Sequence, residues 1–119
     1  MTITIYHNPR CSKSRATLKL IEDAGVEPHV VAYLQTPPSG QRVRDLANML
    51  DVPVADLLRR NEDEFRNAVD LPSLDDDAAL AGWIAANPKV LQRPIVVDDN
   101  KGAAIIGRPP ENVLALLPR

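Results

Sequence analysis

The chain opens on Thr2-Ile3-Thr4-Ile5-Tyr6, where β-branched apolar residues alternate with polar ones until His7-Asn8-Pro9 interrupts them. Alternation with a period of two predicts a strand. The period then changes. Ser14, Thr17, Leu18, Leu20, Ile21 and Ala24 share one side of a 3.6-residue repeat, which predicts a helix capped by Ser12 or Cys11 and closed at Gly25, a residue suited to the position just past a helix. Residues 29–34 are mostly apolar and predict a second strand, placed centrally because apolar runs mark strands covered on both faces. Strand, helix and strand in this order cross over right-handedly. The two strands are then parallel, and the loop 7–11 lies at the carboxyl edge of the first, where α/β proteins bind ligands.

Thr36-Pro37-Pro38-Ser39-Gly40 breaks the pattern before a helix carrying Val43, Leu46, Ala47 and Leu50, and residues 54–60 read as a further short helix. A third helical stretch covers 75–87: Asp75, Asp76 and Asp77 suit the positive end of a helix, and Asn87-Pro88 ends it. Pro94-Ile95-Val96-Val97 and Ala103-Ala104-Ile105-Ile106 flank a polar turn at 98–102 and read as a hairpin, followed by a last helix over 110–117. This order predicts an α/β, thioredoxin-like fold: a four-stranded mixed sheet with flanking helices and a helical insertion, about 39–90, between strands 2 and 3. In that architecture Pro94 faces the loop after strand 1. A cis Arg93-Pro94 bond is compatible with it, since cis costs only about 0.5–1 kcal/mol before proline. With no repeat or linker, residues 1–119 are expected to form a single domain.

Composition narrows the function. Fourteen Lys and Arg against 16 Asp and Glu leave a net charge of −2, which argues against a general nucleic-acid binder. No apolar stretch approaches 18 residues, so no membrane span is expected. The single cysteine excludes an internal disulfide and any multi-cysteine metal cluster, no Asp/Glu/His spacing suggests a metal site, and a reducing, cytoplasmic setting is expected. Charge is unevenly spread: Arg10, Lys13, Arg15 and Lys19 precede the first acid, Glu22, and surround Cys11.

A lone cysteine is commonly a small buried hydrophobe. Cys11 instead falls in a polar turn at a helix start, between Arg10 and Lys13, and helix N-termini and neighbouring cations are what lower a thiol's pKa. Converting a thiol with a pKa of about 8.5 to mostly thiolate at neutral pH requires about 2.7 kcal/mol of preference for the anion. The free N–H groups of residues 12–15 also form a nest for a tetrahedral oxyanion. An oxyanion beside a thiolate needs further cations, for which Arg59 or Arg60, Arg93 and Arg108 are the candidates; the last two stand before prolines at the ends of the hairpin. His7 is a candidate to tune the thiol or hold the loop, and Ser14 to donate to the thiolate or serve as a first-turn helix residue. His29 reads as structural, and Trp83 and Phe65 as packing.

His7-Asn8-Pro9-Arg10-Cys11-Ser12-Lys13-Ser14-Arg15, Tyr33-Leu34-Gln35-Thr36-Pro37-Pro38, Leu57-Leu58-Arg59, Arg93-Pro94-Ile95-Val96-Val97 and Gly107-Arg108-Pro109 together resemble the glutaredoxin-coupled arsenate reductases, nearly end to end. The resemblance implies reduction of arsenate to arsenite with glutathione as co-substrate and glutaredoxin as partner, in the cytoplasm, by a monomer without bound cofactor. It assigns Cys11 as the nucleophile, Arg59, Arg93 and Arg108 as oxyanion ligands, and His7 and Ser14 as the residues that lower the thiol pKa. Two alternatives stand beside it. One is a monothiol glutaredoxin-like oxidoreductase acting on glutathione mixed disulfides. The other is a non-enzymatic regulator that resembles the disulfide-stress proteins binding RNA polymerase, although Ser14 replaces the second cysteine of their Cys-x-x-Cys switch.

Overall fold

Ile3–His7 form β1, and all five of its residues are buried. Ser12–Asp23 form α1, His29–Ala32 β2, Ile95–Asp98 β3 and Ala103–Ile106 β4. These come from a computed structural model that describes residues 2–118. They belong to one compact unit, made of the residues up to 33 and those from 93 onward, while residues 34–92 form another. In the first unit the strand order is β2-β1-β3-β4, with β1 parallel to β2 and antiparallel to β3, and β3 antiparallel to β4. The sheet is mixed and four-stranded, in the thioredoxin-like arrangement that the element order predicts.

The position of β2 corrects the sequence reading. It is an edge strand, ends at Ala32, and pairs only with β1, from Thr4 opposite His29 to His7 opposite Ala32. Val30 stays 44% exposed. None of its four residues is buried, so here an apolar run marks neither covered faces nor a second hydrogen-bonded neighbour.

One face of the sheet closes a core of Ile3, Ile5 and Val96 against Ile21 of α1 and against Val113, Leu116 and Leu117 near the C-terminus. The period-two and 3.6-residue patterns of the sequence meet there. The last helical segment, Pro110–Leu116, is 3₁₀. α1 stops where Gly25 takes φ +79°, and the Gly25 N–H donates to the Glu22 carbonyl at 2.9 Å. A side chain at that left-handed φ would be strained, which is why glycine ends the helix.

The second unit is helical. Gly40–Leu50 form α2, Asp63–Arg66 the single turn α3, which the sequence pattern did not indicate, and Asp77–Ala86 form α4. Ser39 Oγ caps α2 by accepting from the Arg42 N–H at 3.0 Å, and Asp76 Oδ1 caps α4 by accepting from the Ala79 N–H at 3.1 Å. The helix expected over 54–60 is a 3₁₀ turn that ends at Leu57. Leu58 instead bridges to Leu91, the Gln92 N–H donates to the Leu57 carbonyl at 2.8 Å, and the Arg59 N–H donates to the Val90 carbonyl. Extended pairing thereby satisfies the groups that a longer helix would have satisfied internally. Trp83 is buried, and its indole N–H donates to Asp70 Oδ1 at 3.1 Å. Among the described residues no helix is long and apolar enough to cross a membrane.

Candidate active site

β1 delivers the chain at His7, and the next four residues turn it into α1. The Cys11 N–H donates to the Asn8 carbonyl and the Arg10 N–H to Asn8 Oδ1, both at 3.0 Å, so Asn8 shapes the turn with its backbone and its side chain. Arg15 Nη1 donates to the Pro9 carbonyl at 2.9 Å from the first turn of the helix. Cys11 occupies the N-cap position with extended φ and ψ of −92° and 122°. Its sulfur, half-buried, makes no formed capping hydrogen bond, yet the N–H groups of Ser14 and Lys13 face it. Burial pushes the Cys11 thiol up. The Ser14 and Lys13 N–H groups, a hydrogen bond from the Arg93 side chain and the charge of Arg108 outweigh burial, and the thiol titrates below its ordinary value.

His7 and Ser14 lie one step behind this sulfur. His7 Nδ1 is 2.6 Å from Ser14 Oγ, which also accepts the Asn8 N–H at 3.0 Å. Both side chains are buried. Burial and then the Arg15 charge hold His7 below its ordinary pKa of 6.5, against the opposing pull of Glu22. The ring is therefore neutral at pH 7, and either neutral tautomer keeps the hydrogen bond between Nδ1 and Ser14 Oγ. The Ser14 side chain thus ties strand end to helix start, while its backbone N–H is the group facing Cys11.

The pKa of His7 carries a stability consequence. Near pH 6.5 the unfolded chain takes up a proton that the folded chain refuses until lower pH. The unfolded state binds more protons in that window, so stability falls as the pH drops through it. His7→Asn is expected to flatten the fall in Tm between neutral pH and about pH 5; an unchanged slope in thermal melts would contradict this.

Two arginines reach the sulfur from the hairpin. Arg93 and Arg108 each precede a cis proline bond, to Pro94 and Pro109. Arg108 Nη2 lies 3.6 Å from Cys11 Sγ, and Arg108 Nε donates to the Arg93 carbonyl at 2.8 Å, which orients the guanidinium. The Gly107 N–H donates to the Pro94 carbonyl at 2.9 Å and stitches the two loops together. Gly107 admits no side chain: a Cβ there would meet Thr17 Oγ1 and lie 2.7 Å from Pro94 Cγ. Gly107→Ala is accordingly expected to cost about 1–3 kcal/mol by overpacking, read as a lower denaturation midpoint. An alanine variant as stable as the wild type would mean that Thr17 and Pro94 yield freely.

Arg59 and Arg60 belong to the helical unit and differ in their settings. Arg59 Nε donates to Glu62 Oε1 at 3.3 Å, and its side chain is only 15% exposed. The Arg60 guanidinium stands 6.0 Å from the centroid of the Phe65 ring. Within the unit that holds Cys11, the structure brings together Arg93, Arg108, the start of α1 and the His7–Ser14 pair. Gly107 and Asn8 were not singled out in the sequence, and Arg15 only as one of the cations around Cys11. Asn8 had a visible signal, the Asn-Pro turn; Gly107 acts through Thr17 and Pro94, which are distant in the chain, and had none. Among the described residues no group of three or more His, Cys, Asp or Glu side chains could hold a metal ion.

Comparison with known proteins places the chain in a family. A family model described as the ArsC family matches residues 6–116. The chain is 47% identical over 116 residues to the uncharacterized protein YfgD of Escherichia coli K12, covering 97% of this chain and 96% of that one. It is 45% identical over 117 residues to an arsenate reductase of Neisseria meningitidis serogroup A, covering 97% of each. The solved structure of an arsenate reductase from Vibrio cholerae superposes with a TM-score of 0.89 at 42% identity, covering 98% of both chains. The family model spans most of the chain and these relatives match it nearly end to end, in sequence and in fold, and the chain belongs to the ArsC family.

Proposed function

We propose that this chain is a cytoplasmic, monomeric arsenate reductase that uses Cys11 as its nucleophile and draws two electrons from glutathione and glutaredoxin. The observation that carries the reading is the convergence of Arg93, Arg108 and the first N–H groups of α1 on one half-buried sulfur. These groups favour the thiolate, and they are also what an oxyanion needs to approach it, because fixed cations and N–H dipoles offset the repulsion between two anions. The near full-length relatives named as arsenate reductases support arsenate as that oxyanion.

In this scheme the Cys11 thiolate forms a bond to arsenic while an As–O bond breaks, the oxygen leaving as water after protonation; arsenic remains As(V). Glutathione replaces a second oxygen, again releasing water. A glutaredoxin thiolate then attacks the glutathione sulfur, the new disulfide forms, and the electron pair of the broken S–As bond reduces arsenic to As(III). Water finally takes the place of Cys11 on arsenic, which releases arsenite and the free thiol. The chain has no second cysteine to form an internal disulfide, so both reducing thiols come from outside.

The test is NADPH oxidation coupled through glutathione reductase, with arsenate, glutathione and glutaredoxin supplied in turn. Oxidation that requires all three supports the reading. Turnover of a glutathione mixed disulfide with no dependence on arsenate replaces it with a monothiol oxidoreductase. Arg59 enters through its sequence motif alone: Arg59→Ala is expected to raise the KM for arsenate by about tenfold, and Arg60→Ala by no more than about twofold. Equal effects in steady-state kinetics would remove Arg59 from the scheme.

A further inference from the structure

Arg108 sits on a loop that begins at Gly107, and a glycine gives the backbone before it the widest conformational freedom of any residue. A guanidinium carried there needs an external restraint to stay 3.6 Å from the Cys11 sulfur. Two restraints come from residues 93 and 94, as described. The third comes from Asn112, an exposed residue in the 3₁₀ segment that follows the loop. Its backbone N–H donates to the Pro109 carbonyl at 3.1 Å, and its side-chain Nδ2 reaches back to two carbonyls, that of Arg108 at 3.1 Å and that of Ile106 at 3.2 Å. One amide group therefore brackets Gly107 from both sides and fixes the peptide that bears Arg108.

We propose that Asn112 is a positioning residue, which holds the 106–108 loop so that Arg108 bears on the Cys11 sulfur. Both targets are carbonyls and only accept, so the residue must supply two N–H donors from a short side chain. Asparagine does this; a carboxylate has no such donors, and serine cannot span both carbonyls. The bonds lie at the surface and add little to stability, so their consequence is orientation. The inference rests on the reading above only in taking Arg108 as part of the working site.

The test follows the rate of Cys11 alkylation by iodoacetamide across pH in the wild type, Asn112→Ala, Arg108→Ala and the double variant, with thermal melts alongside. Loss of the Arg108 influence raises the thiol pKa, so Asn112→Ala is expected to slow alkylation on the acid side of the transition by roughly three- to tenfold. In the Arg108→Ala background the same change is expected to do nothing further. Glu111→Ala, next to it on the exposed surface, should leave the profile in place. An unchanged profile in Asn112→Ala, or equal slowing with and without Arg108, overturns the proposal. Should the alanine variant not fold, Asn112→Ser makes the same comparison. Alkylation requires neither arsenate nor a thiol partner, so failure of the reductase reading would appear separately, as absent arsenate-dependent NADPH oxidation with the Asn112–Arg108 coupling intact.

Discussion

Cys11→Ser is expected to lower arsenate-dependent turnover by at least about a thousandfold, to the background of the assay, because a serine hydroxyl is un-ionised near neutral pH and no other thiol exists in the chain. The same substitution should leave the fold intact or firmer. Cys11 is the N-cap of α1, with extended backbone angles and no formed side-chain cap bond. Serine is among the preferred residues at that position, where its oxygen accepts from N–H groups of the first turn. The N–H groups of Lys13 and Ser14 that now favour the thiolate would cap the helix through serine. Loss of activity together with a Tm equal to or above that of the wild type is thus the expected pair of results. Full activity in the serine variant would remove Cys11 from the chemistry.

Arg108→Ala should be the next most damaging change, lowering kcat/KM by about 10²–10³, the usual effect of removing one fixed donor from an oxyanion site. Two functions go with this side chain. Its charge lies 3.6 Å from the sulfur and helps hold the thiol below its ordinary pKa, and in the proposed reaction it supplies the cation an incoming oxyanion meets. Lysine should restore little, because the orienting bond from Arg108 Nε to the Arg93 carbonyl uses a nitrogen that lysine lacks. Arg108 is exposed, so the melting temperature should hardly move. Steady-state kinetics with alkylation profiles checks both parts; a variant with normal kcat/KM would leave Arg93 and the helix N-terminus as sufficient.

Much of the architecture was legible because it is local. The alternation Ile3, Ile5 and the repeat Leu18, Ile21 describe faces of single elements, and those faces do meet in one core. Gly25 ended α1 for a reason confined to its own φ angle. The placement of Cys11 at a helix start was readable for the same reason, since the turn and the cap lie within a few residues of it.

Lateral order in the sheet was not legible. Residues 29–32 look like a central strand and form an edge with no buried residue, because an apolar run fixes neither the covering of its faces nor the neighbours in the hydrogen-bonding direction. The helix expected through Arg60 ended at Leu57 because Leu58 found extended pairing with Leu91, 33 positions away. Neither outcome is encoded in a local period.

By itself the sequence determined the four strands and the longer helices, their order, the mixed four-stranded α/β class and a lone cysteine in a basic turn at a helix start, which follow largely from patterns within a few residues. Tertiary structure decided which cations act on that sulfur, how Arg108 is aimed, and that Gly107 admits no side chain, since these depend on groups up to 97 positions apart being brought within 4 Å. Local periodicity carries no information about such pairings. They arise when packing of the hairpin against α1 and β1 closes long loops of chain and leaves their polar ends side by side.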